Sequence, residues 1–340
     1  MEQSSATIFG MPTGPGARRP LINVIGWYDR RNLGDEAFKT SFNSLFGADA
    51  TVAFTTSDII PHADKIVLGG GDVIKDYYLS KIPKDREFSI IGAGLGYESE
   101  IELLEGRKID KLWLRNKKDV ELARRVGLTK AEYMPDLLFA GPVYQHQEKP
   151  PTEGRKKKMA VILTDAVNFG VEFKSEQFYA EYMKYELALA LDYLSEWYEI
   201  SFIPFSDYHY AYDSRMHMDV ATRMNKASHT EMWSYTGNTD LMINQLRDFD
   251  LVVTSKLHGM LFAVAAGTPF VNLGITRKSQ VFAEEYGLDY KYSIPPYSFT
   301  YDRFMAMVKA AESTLAQGEL TKVRDLLVTQ MESKRLLIVS

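Results

Sequence analysis

A lysine and a histidine lie two residues apart where an apolar strand pattern gives way to an Ala-rich helix pattern. The run FDLVVT is followed directly by SKLHGMLFAVAAGTP, which places Lys256 and His258 at the start of the helix. A helix N-terminus presents free backbone N–H groups and a positive potential, and both favour anions. The pattern therefore predicts a phosphate or carboxylate site, with His258 as the catalytic group. The alternative is a partly buried histidine that is satisfied by the backbone.

Further positive charge follows one strand later. Arg277 and Lys278 come after the apolar segment TPFVNLGI, and we expect them at the same sheet edge as Lys256 and His258. We assign Lys256, Arg277 and Lys278 to donor or phosphate binding.

An arginine, Arg115, follows another predicted strand, in the segment LWLRNKKDVELARRVGL. A guanidinium at the end of a strand suits bidentate binding of a carboxylate or phosphate, so we also assign Arg115 to the donor. An ion pair with Asp119 or Asp136 is the structural alternative, and the sequence leaves both open.

The loop GWYDRRNLGDEAF places Asp35 and Glu36 at a helix start. Asp35 fits a helix N-cap and Glu36 suits the positive end of the helix dipole. A catalytic role as the base is the alternative, and the two roles are compatible.

Three glycines, Gly69–Gly71, follow a short apolar strand in LGGGDVIKD. Glycines here let the backbone approach a donor phosphate closely or supply positive φ. The motif is neither a P-loop nor a dinucleotide-binding fingerprint, because neither GK[ST] nor GxGxxG is present.

Two other segments are rich in histidine or in basic residues, but neither pattern specifies a particular chemistry. His209 and His217 in SDYHYAYDSRMHM lack a zinc spacing, and we predict an exposed acceptor-binding loop or a polar helix there. The run RKKK at 155–158 fits a solvated strand flank better than a phosphate contact.

The elements that position these residues are strands alternating with helices. Solid apolar strands predict parallel sheets covered on both faces, that is, an α/β chain of two doubly wound Rossmann-like domains facing a central cleft. Ligands bind such sheets beyond the carboxyl ends of the strands. We predict a flexible tail at 1–19, a first domain at 20–145 and a linker at 146–158. A second domain follows at 159–315, and a helical segment at 316–340 ends the chain.

Composition narrows the class of protein. The 340 residues include no cysteine, which excludes disulfides and thiolate metal sites, and we assign no metal site. A net charge of −5 argues against a dedicated nucleic-acid binder. No apolar run is long enough to span a bilayer. We expect a soluble, cytoplasmic protein with at most peripheral membrane contact.

Taken together, these motifs resemble the polysaccharide pyruvyl transferase family. The loop GWYDRRNLGDEAF is similar to that family's opening loop, and LGGGDVIKD to its triple-glycine strand end. EYMPDLLF resembles its Pro–Asp–x–x–Phe segment. DLVVTSKLHGMLFAVAAGTPFVNL resembles the block in which a basic residue–Leu–His opens a helix.

The resemblance implies a glycosyltransferase-B-like fold and transfer of a pyruvyl group from phosphoenolpyruvate to sugar hydroxyls. It implies a donor-binding or catalytic role for His258, with Arg115 and Lys278 as partners. Tyr28, Asn32 and Asp136 fall on the expected acceptor side. The chain departs from the family at three positions: Lys256 replaces the usual arginine, Asp29 a common glycine, and Asn116 a frequent aspartate.

We therefore expect a transferase that needs no cofactor and that acts on a carbohydrate or glycolipid acceptor. The sequence leaves open whether the protein is a homo-oligomer. A nucleotide-sugar glycosyltransferase, acting on a glycan, a small molecule or modified nucleic acid, is the rival enzyme. A carbohydrate-binding protein without catalysis is the third possibility.

Overall fold

The computed structural model describes residues 7–9, 11–12, 18–141, 154–164, 174–208, 211–274, 276–288, 292–294 and 298–339. Contacts divide the chain into two compact units. The first contains Met1–Asp29, Gly34–Tyr144 and Asp325–Ser340, and the second contains Arg30–Leu33 and Gln145–Arg324.

The first unit is built on a six-stranded parallel sheet. Its strands are β3 (Leu21–Ile25), β4 (Thr51–Thr55), β5 (Lys65–Gly71), β6 (Phe88–Ala93), β7 (Ile109–Leu114) and β8 (Ala131–Tyr133), in the order β4-β3-β5-β6-β7-β8. Helices α1 (Leu33–Phe46), α2 (Asp76–Leu79) and α3 (Lys117–Arg125) connect them.

The second unit repeats the plan with five parallel strands. These are β9 (Lys157–Ile162), β10 (Tyr198–Phe202), β13 (Thr230–Met232), β14 (Leu251–Thr254) and β15 (Phe270–Asn272), in the order β13-β10-β9-β14-β15. A small antiparallel pair, β11 (Asp207–Tyr208) and β12 (Ala211–Tyr212), lies outside this sheet.

Helices cover both faces of the second sheet. They are α4 (Lys174–Leu194), α5 (Asp213–Ala221), α6 (Thr239–Arg247), α7 (Leu257–Ala266), α8 (Arg277–Glu285) and α9 (Tyr301–Ala311). Helix α4 contacts α5 and α9, whereas α6 and α8 contact α7. Right-handed crossovers from the central strands place these two groups on opposite faces. The unit is therefore doubly wound.

Solid apolar runs explain why both sheets are buried. Ile22 and Val24 of β3 and Val252 and Val253 of β14 are fully buried, as expected for strands covered on both sides. The predicted strand at Leu21–Ile25 is confirmed. The predicted α/β class with two Rossmann-like folds is confirmed as well.

Regular structure occurs near both chain ends. Within the predicted flexible tail, β1 (Thr7–Ile8) pairs with β2 (Met11–Pro12), and the Phe9 ring lies 5.7 Å from that of Phe46. Such a ring contact favours an ordered segment. The final helix, α10, runs from Thr314 to Val339. Residues 146–153 of the predicted linker lie outside the described residues, and β9 begins at Lys157.

No helix among the described residues combines the length and the apolar character that crossing a bilayer requires.

Candidate functional site

The carboxyl edge of the second sheet carries most of the predicted cationic residues. Strands β14 and β15 are parallel neighbours, and Thr254 pairs with Asn272 at their ends. Helix α7 begins two residues after Ser255, and α8 begins at Arg277. His258, Arg277 and Lys278 therefore start helices at one sheet edge, and all three are partly exposed.

The first turn of α7 packs directly on the end of β14. Thr254 Oγ1 accepts a hydrogen bond from the Lys256 backbone N–H at 3.0 Å. A Cβ at Gly259 would lie 2.1 Å from the same oxygen, closer than side chains tolerate. Gly259, which the sequence analysis did not single out, thus lets the helix that bears His258 approach the strand end.

Lys256 does not have the free charge that the sequence analysis assigned to it. Its ammonium lies 2.9 and 2.8 Å from the two carboxylate oxygens of Asp213, which is fully buried. Asp213 also accepts hydrogen bonds from the backbone N–H groups of Phe205 and Ser206, at 2.9 and 2.7 Å. Because a carboxylate compensates the ammonium, Lys256 anchors the start of α7 rather than a donor anion.

The segment around Asp213 was predicted to be an exposed acceptor-binding loop or a polar helix, and the structure shows a helix whose polar residues Asp213 and His217 are buried. Asp213 begins α5, and His217 in the same helix is 1 % exposed. His217 Nε2 accepts a hydrogen bond from the Leu163 N–H at 3.0 Å. Burial, assisted by the Lys256 charge, lowers the pKa of His217 to about 3. The residue is therefore neutral near pH 7. His209 lies outside the described residues.

Two buried hydroxyls at this edge lack a hydrogen-bond partner within the described residues. They are Thr164 Oγ1, which follows β9, and Ser206 Oγ, which follows β10. The Thr164 backbone N–H donates to Ser255 Oγ at 2.8 Å, which ties the end of β9 to the start of α7. Buried polar atoms without partners are rare in native structures, and a catalytic role or a bound water or ion is one explanation for them. The edge thus combines helix starts, cationic side chains and unsatisfied hydroxyls.

Asn32, predicted on the acceptor side, belongs to this second unit. It forms an isolated antiparallel bridge with Ser206, and the Leu33 N–H donates to the Phe205 carbonyl at 2.8 Å. Ser206 in turn donates its backbone N–H to Asp213. Residues 30–33 therefore pack beside the chain that holds Lys256.

In the first unit, Arg115 has a structural environment rather than an open one. Its side chain is 2 % exposed and lies 2.6 Å from Asp72 and 3.3 Å from Asp136. The predicted ion pair with Asp136 is present, Asp72 was missed, and Asp119 instead accepts hydrogen bonds from the Leu95 N–H and the Asn116 amide. A guanidinium compensated in this way has little charge left for a donor, so the structure does not support direct donor binding by Arg115.

Two of the predicted acceptor-side residues are also buried. Tyr28 is fully buried and its hydroxyl donates to the Gly69 carbonyl at 2.7 Å. Asp136 accepts a hydrogen bond from the Leu138 N–H at 3.0 Å and caps a short 3₁₀ helix, Leu137–Ala140. Both side chains are buried and hold neighbouring backbone, which is a supporting role, and a direct contact with the acceptor stays a prediction.

Aromatic rings of the protein occupy the space beside the three glycines. A Cβ at Gly69 would lie 2.3 Å from the Phe42 ring, and one at Gly70 would lie 2.3 Å from the Phe38 ring. Gly70 and Gly71 have φ values of +72° and +75°, which favour glycine. The structural role is confirmed, whereas phosphate binding by these buried glycines finds no support.

The acidic pair also differs from prediction. Helix α1 begins at Leu33, so Asp35 lies in the first turn and the predicted N-cap role is wrong. Glu36 accepts a hydrogen bond from the Asp29 N–H at 2.7 Å and pairs with Lys39 at 2.5 Å. Asp35 Oδ1 would lie 2.8 Å from a Cβ at Gly71, so this carboxylate packs on the glycine strand end.

Among the described residues, no three or more His, Asp or Glu side chains are arranged to hold a metal ion.

Comparison with protein families settles the class of enzyme. Residues 15–277 match the family model described as Polysaccharide pyruvyl transferase. The chain belongs to the polysaccharide pyruvyl transferase family. This pyruvyl transferase homologue is therefore a transferase, as the motifs predicted. It matches no curated protein sequence.

Solved structures similar to this pyruvyl transferase homologue show its fold. S. aureus MnaA, in a structure with UDP, has a TM-score of 0.61 at 9% identity, covering 94% of this chain and 95% of that one. A UDP-GlcNAc 2-epimerase from Neisseria meningitidis bound to UDP-GlcNAc has a TM-score of 0.56 at 8% identity, covering 94% and 99%. A putative UDP-N-acetylglucosamine 2-epimerase from Listeria monocytogenes has a TM-score of 0.58 at 12% identity, covering 94% and 95%. At these identities the likeness concerns the glycosyltransferase-B-like fold alone.

Proposed function

We propose that the protein transfers a pyruvyl group from phosphoenolpyruvate to hydroxyls of a sugar in a glycan or glycoconjugate, forming a ketal. The observation that carries this proposal is the edge of the second sheet. There His258 and the Arg277–Lys278 pair begin neighbouring helices, and buried hydroxyls lack partners within the described residues. Membership of the pyruvyl transferase family supports the same chemistry.

The proposed reaction balances without an oxidant or a reductant. A proton adds to the enol CH₂ carbon, a sugar hydroxyl oxygen bonds to the neighbouring carbon, and that hydroxyl loses its proton. The bond from this carbon to the phosphate oxygen then breaks, and inorganic phosphate leaves. A second hydroxyl closes the ring and loses its proton, so a cyclic pyruvate ketal is formed; of the two hydroxyl protons, one balances the proton added to the enol carbon and the other leaves on hydrogen phosphate.

His258 is the proposed proton donor to the enol carbon or to the departing phosphate. A positioned general acid contributes roughly 10²–10⁴ in rate. His258 lies in the first turn of α7, and the N-terminal end of that helix also attracts negative charge. We propose that Arg277 and Lys278, in the first turn of α8, bind the phosphate or carboxylate of the donor. Lys256 acts indirectly, because Asp213 holds it and thereby fixes the start of α7.

The direct experiment measures inorganic phosphate released from phosphoenolpyruvate across a panel of mono- and oligosaccharide acceptors, with mass spectrometry of each acceptor. We expect phosphate release only when an acceptor is present, together with a pyruvyl adduct on it. An arm with EDTA should leave the rate unchanged, because the proposal needs no metal or cofactor.

Thermal-shift measurements separate this proposal from the rival glycosyltransferase. Saturating phosphoenolpyruvate at about 100 times its Kd should stabilise the fold by about 2.7 kcal/mol. Stabilisation by nucleotide sugars alone, with nucleotide release on adding an acceptor, would replace the proposal with the rival enzyme. Binding of a saccharide without release of phosphate or nucleotide would instead indicate a carbohydrate-binding protein without catalysis.

A further inference from the structure

Asp213 is a buried carboxylate that the sequence analysis did not assign to the site. It begins helix α5, and its backbone N–H donates to the Ser206 carbonyl at 3.1 Å. Its carboxylate accepts hydrogen bonds from the Lys256 ammonium and from the backbone N–H groups of Phe205 and Ser206. Because these donors belong to two separate segments, the carboxylate ties the chain that follows β10 to the start of α7.

Lys256 is the residue through which Asp213 acts on His258. Lys256 is the N-cap of α7, and His258 is the second residue of that helix. The backbone N–H of Lys256 donates to Thr254 at the end of β14, and its ammonium binds Asp213. Two attachments specify both the position and the direction of the first helical turn, whereas a single attachment would specify the position alone.

The same carboxylate also holds the segment that carries Asn32. Asn32 forms a bridge with Ser206, and the Leu33 N–H donates to the Phe205 carbonyl at 2.8 Å. Phe205 and Ser206 in turn donate their own N–H groups to Asp213. The predicted acceptor-side residue and the proposed acid are thus both held through one buried side chain of the second unit.

A requirement for stability alone does not explain this ion pair. The side chains of Asp213 and Lys256 are 0% and 11% exposed. Replacing a buried pair by apolar residues of similar volume is often neutral or stabilising, because burial of the charges is costly. Hydrogen bonds of fixed geometry instead specify a distance and a direction, which is what a group taking part in a reaction needs.

We propose that Asp213 is a positioning residue, which holds His258 and Asn32 in the arrangement that pyruvyl transfer needs. Lys256 transmits this hold to the first of them, and the chain after β10 transmits it to the second. Asp213 itself does not touch the substrate, since its side chain is fully buried. This inference rests on the proposed function, because that function gives His258 its role.

The paired variant Asp213→Asn/Lys256→Met tests the inference without leaving a lone buried charge. Removing one partner destabilises a fold strongly, whereas replacing both is often neutral, so we expect this variant to fold. It should lower kcat for phosphate release by about 100-fold, because a misplacement of about 1 Å can cost that much. The KM for phosphoenolpyruvate should change by less than about threefold, because Arg277 and Lys278 are untouched.

Two controls separate positioning from a general loss of packing. Asp219→Asn/Lys184→Met makes the same change in another Asp–Lys pair of α5, whose charged atoms are 2.6 Å apart, and it should keep the wild-type kcat. Lys256→Arg preserves the pair, because a guanidinium binds both oxygens of a carboxylate, and its kcat should stay within about threefold of wild type. Circular dichroism and urea unfolding establish that each variant is folded.

Amide hydrogen exchange at the start of α7 gives a readout that does not depend on the reaction. Peptides covering 256–260 should exchange about tenfold faster in the paired variant than in the wild type, and at the wild-type rate in the Asp219→Asn/Lys184→Met control. Wild-type kcat or unchanged exchange in the paired variant would overturn the positioning role. So would a Lys256→Arg enzyme as slow as the paired variant.

Failure of the proposed function would look different. A wild type that releases no phosphate from phosphoenolpyruvate with any acceptor would remove that function. The exchange rate at the start of α7 would then decide by itself whether Asp213 holds this helix in place.

Discussion

The carboxyl edges of the two parallel sheets both carry charged side chains after strand ends, but the environments of those side chains differ. At the first edge, Arg115 is buried between Asp72 and Asp136, and aromatic rings of α1 fill the space beside the glycines. At the second edge, His258 stays partly exposed and the hydroxyls of Thr164 and Ser206 are buried without partners within the described residues. The first edge compensates the charge of its cation internally, although Arg115 Nε has no hydrogen-bond partner among the described residues, whereas the second edge leaves a histidine partly exposed.

This difference indicates that the charged groups of the first edge support the structure, and that the second edge is the better candidate for chemistry. A buried cation with its carboxylates contributes to the native state mainly because removing one partner leaves the others uncompensated. His258 is partly exposed, whereas Arg115 is buried between two carboxylates that would lose their cation, so substitution of His258 should cost less stability. Similar motifs at strand ends therefore lead to different roles, and substitutions should separate them.

The largest effect is expected on catalysis at the second edge. His258→Gln should lower phosphate release from phosphoenolpyruvate by about 10²–10⁴-fold, because the proposed acid is lost. The melting temperature should stay within about 2 °C, since a substitution at a partly exposed position is usually worth under 0.5 kcal/mol. His229→Gln, at an exposed histidine elsewhere in the second unit, is the control and should retain full activity. A fully active His258→Gln enzyme would remove the distinction between the edges.

The next largest effect is expected on stability at the first edge. Arg115→Ala should lower the free energy of unfolding by about 3–5 kcal/mol, because two carboxylates lose their buried cation. Urea unfolding measures this loss. Arg18→Ala is a matched control in the same unit, because Arg18 also pairs with an aspartate, Asp64, but its side chain is 73% exposed. Exposed pairs are worth at most about 1 kcal/mol. Equal losses in the two variants would contradict the structural role of Arg115.

A smaller, pH-dependent effect is expected from His217. Its pKa falls from the ordinary 6.5 to about 3 in the folded chain, so the unfolded chain binds the proton more readily across that interval. This contribution to stability is fully present above pH 6.5 and is lost as the pH falls, by about 2 kcal/mol between pH 7 and pH 5. Urea unfolding at several pH values should show a shallower acid loss in His217→Gln. His229→Gln should keep the wild-type slope, and an unchanged slope in His217→Gln would refute the buried neutral state.

The fold was predictable because short apolar runs in the sequence indicate its strands directly. Apolar runs such as Leu21–Ile25 and DLVVT mark buried parallel strands, and the polar residues that follow them fall at the sheet edges for topological reasons. The helix that starts beside His258 was predictable on the same grounds, because its Ala-rich pattern begins at a fixed distance from the strand.

The ion pairs were not predictable in the same way. Lys256 and Asp213 are 43 residues apart, and so are Arg115 and Asp72. Nothing in the local sequence of Asp213 distinguishes it from the polar residues around it, because its burial arises only when α5 packs beneath the end of β10. The sequence therefore indicated which strand ends carry charge but not which charges are already compensated. Gly94 is a signal that could have helped, because a Cβ there would lie 2.5 Å from Arg115 Nε and thus marks a tightly packed guanidinium.

The last helix has a consequence for how the chain is made. Residues Asp325–Ser340 belong to the first unit, where Leu327 and Met331 are buried and Arg335 donates hydrogen bonds to Ser44 Oγ and the Ala140 carbonyl. During synthesis the N-terminal half emerges from the ribosome long before these residues do. Although domains commonly fold in the order of their translation, the apolar surface that this helix covers in the first unit stays exposed until the second unit has been synthesised. The half that is translated first is thus the half that is completed last, and nascent chains are the species in which chaperone dependence should be sought.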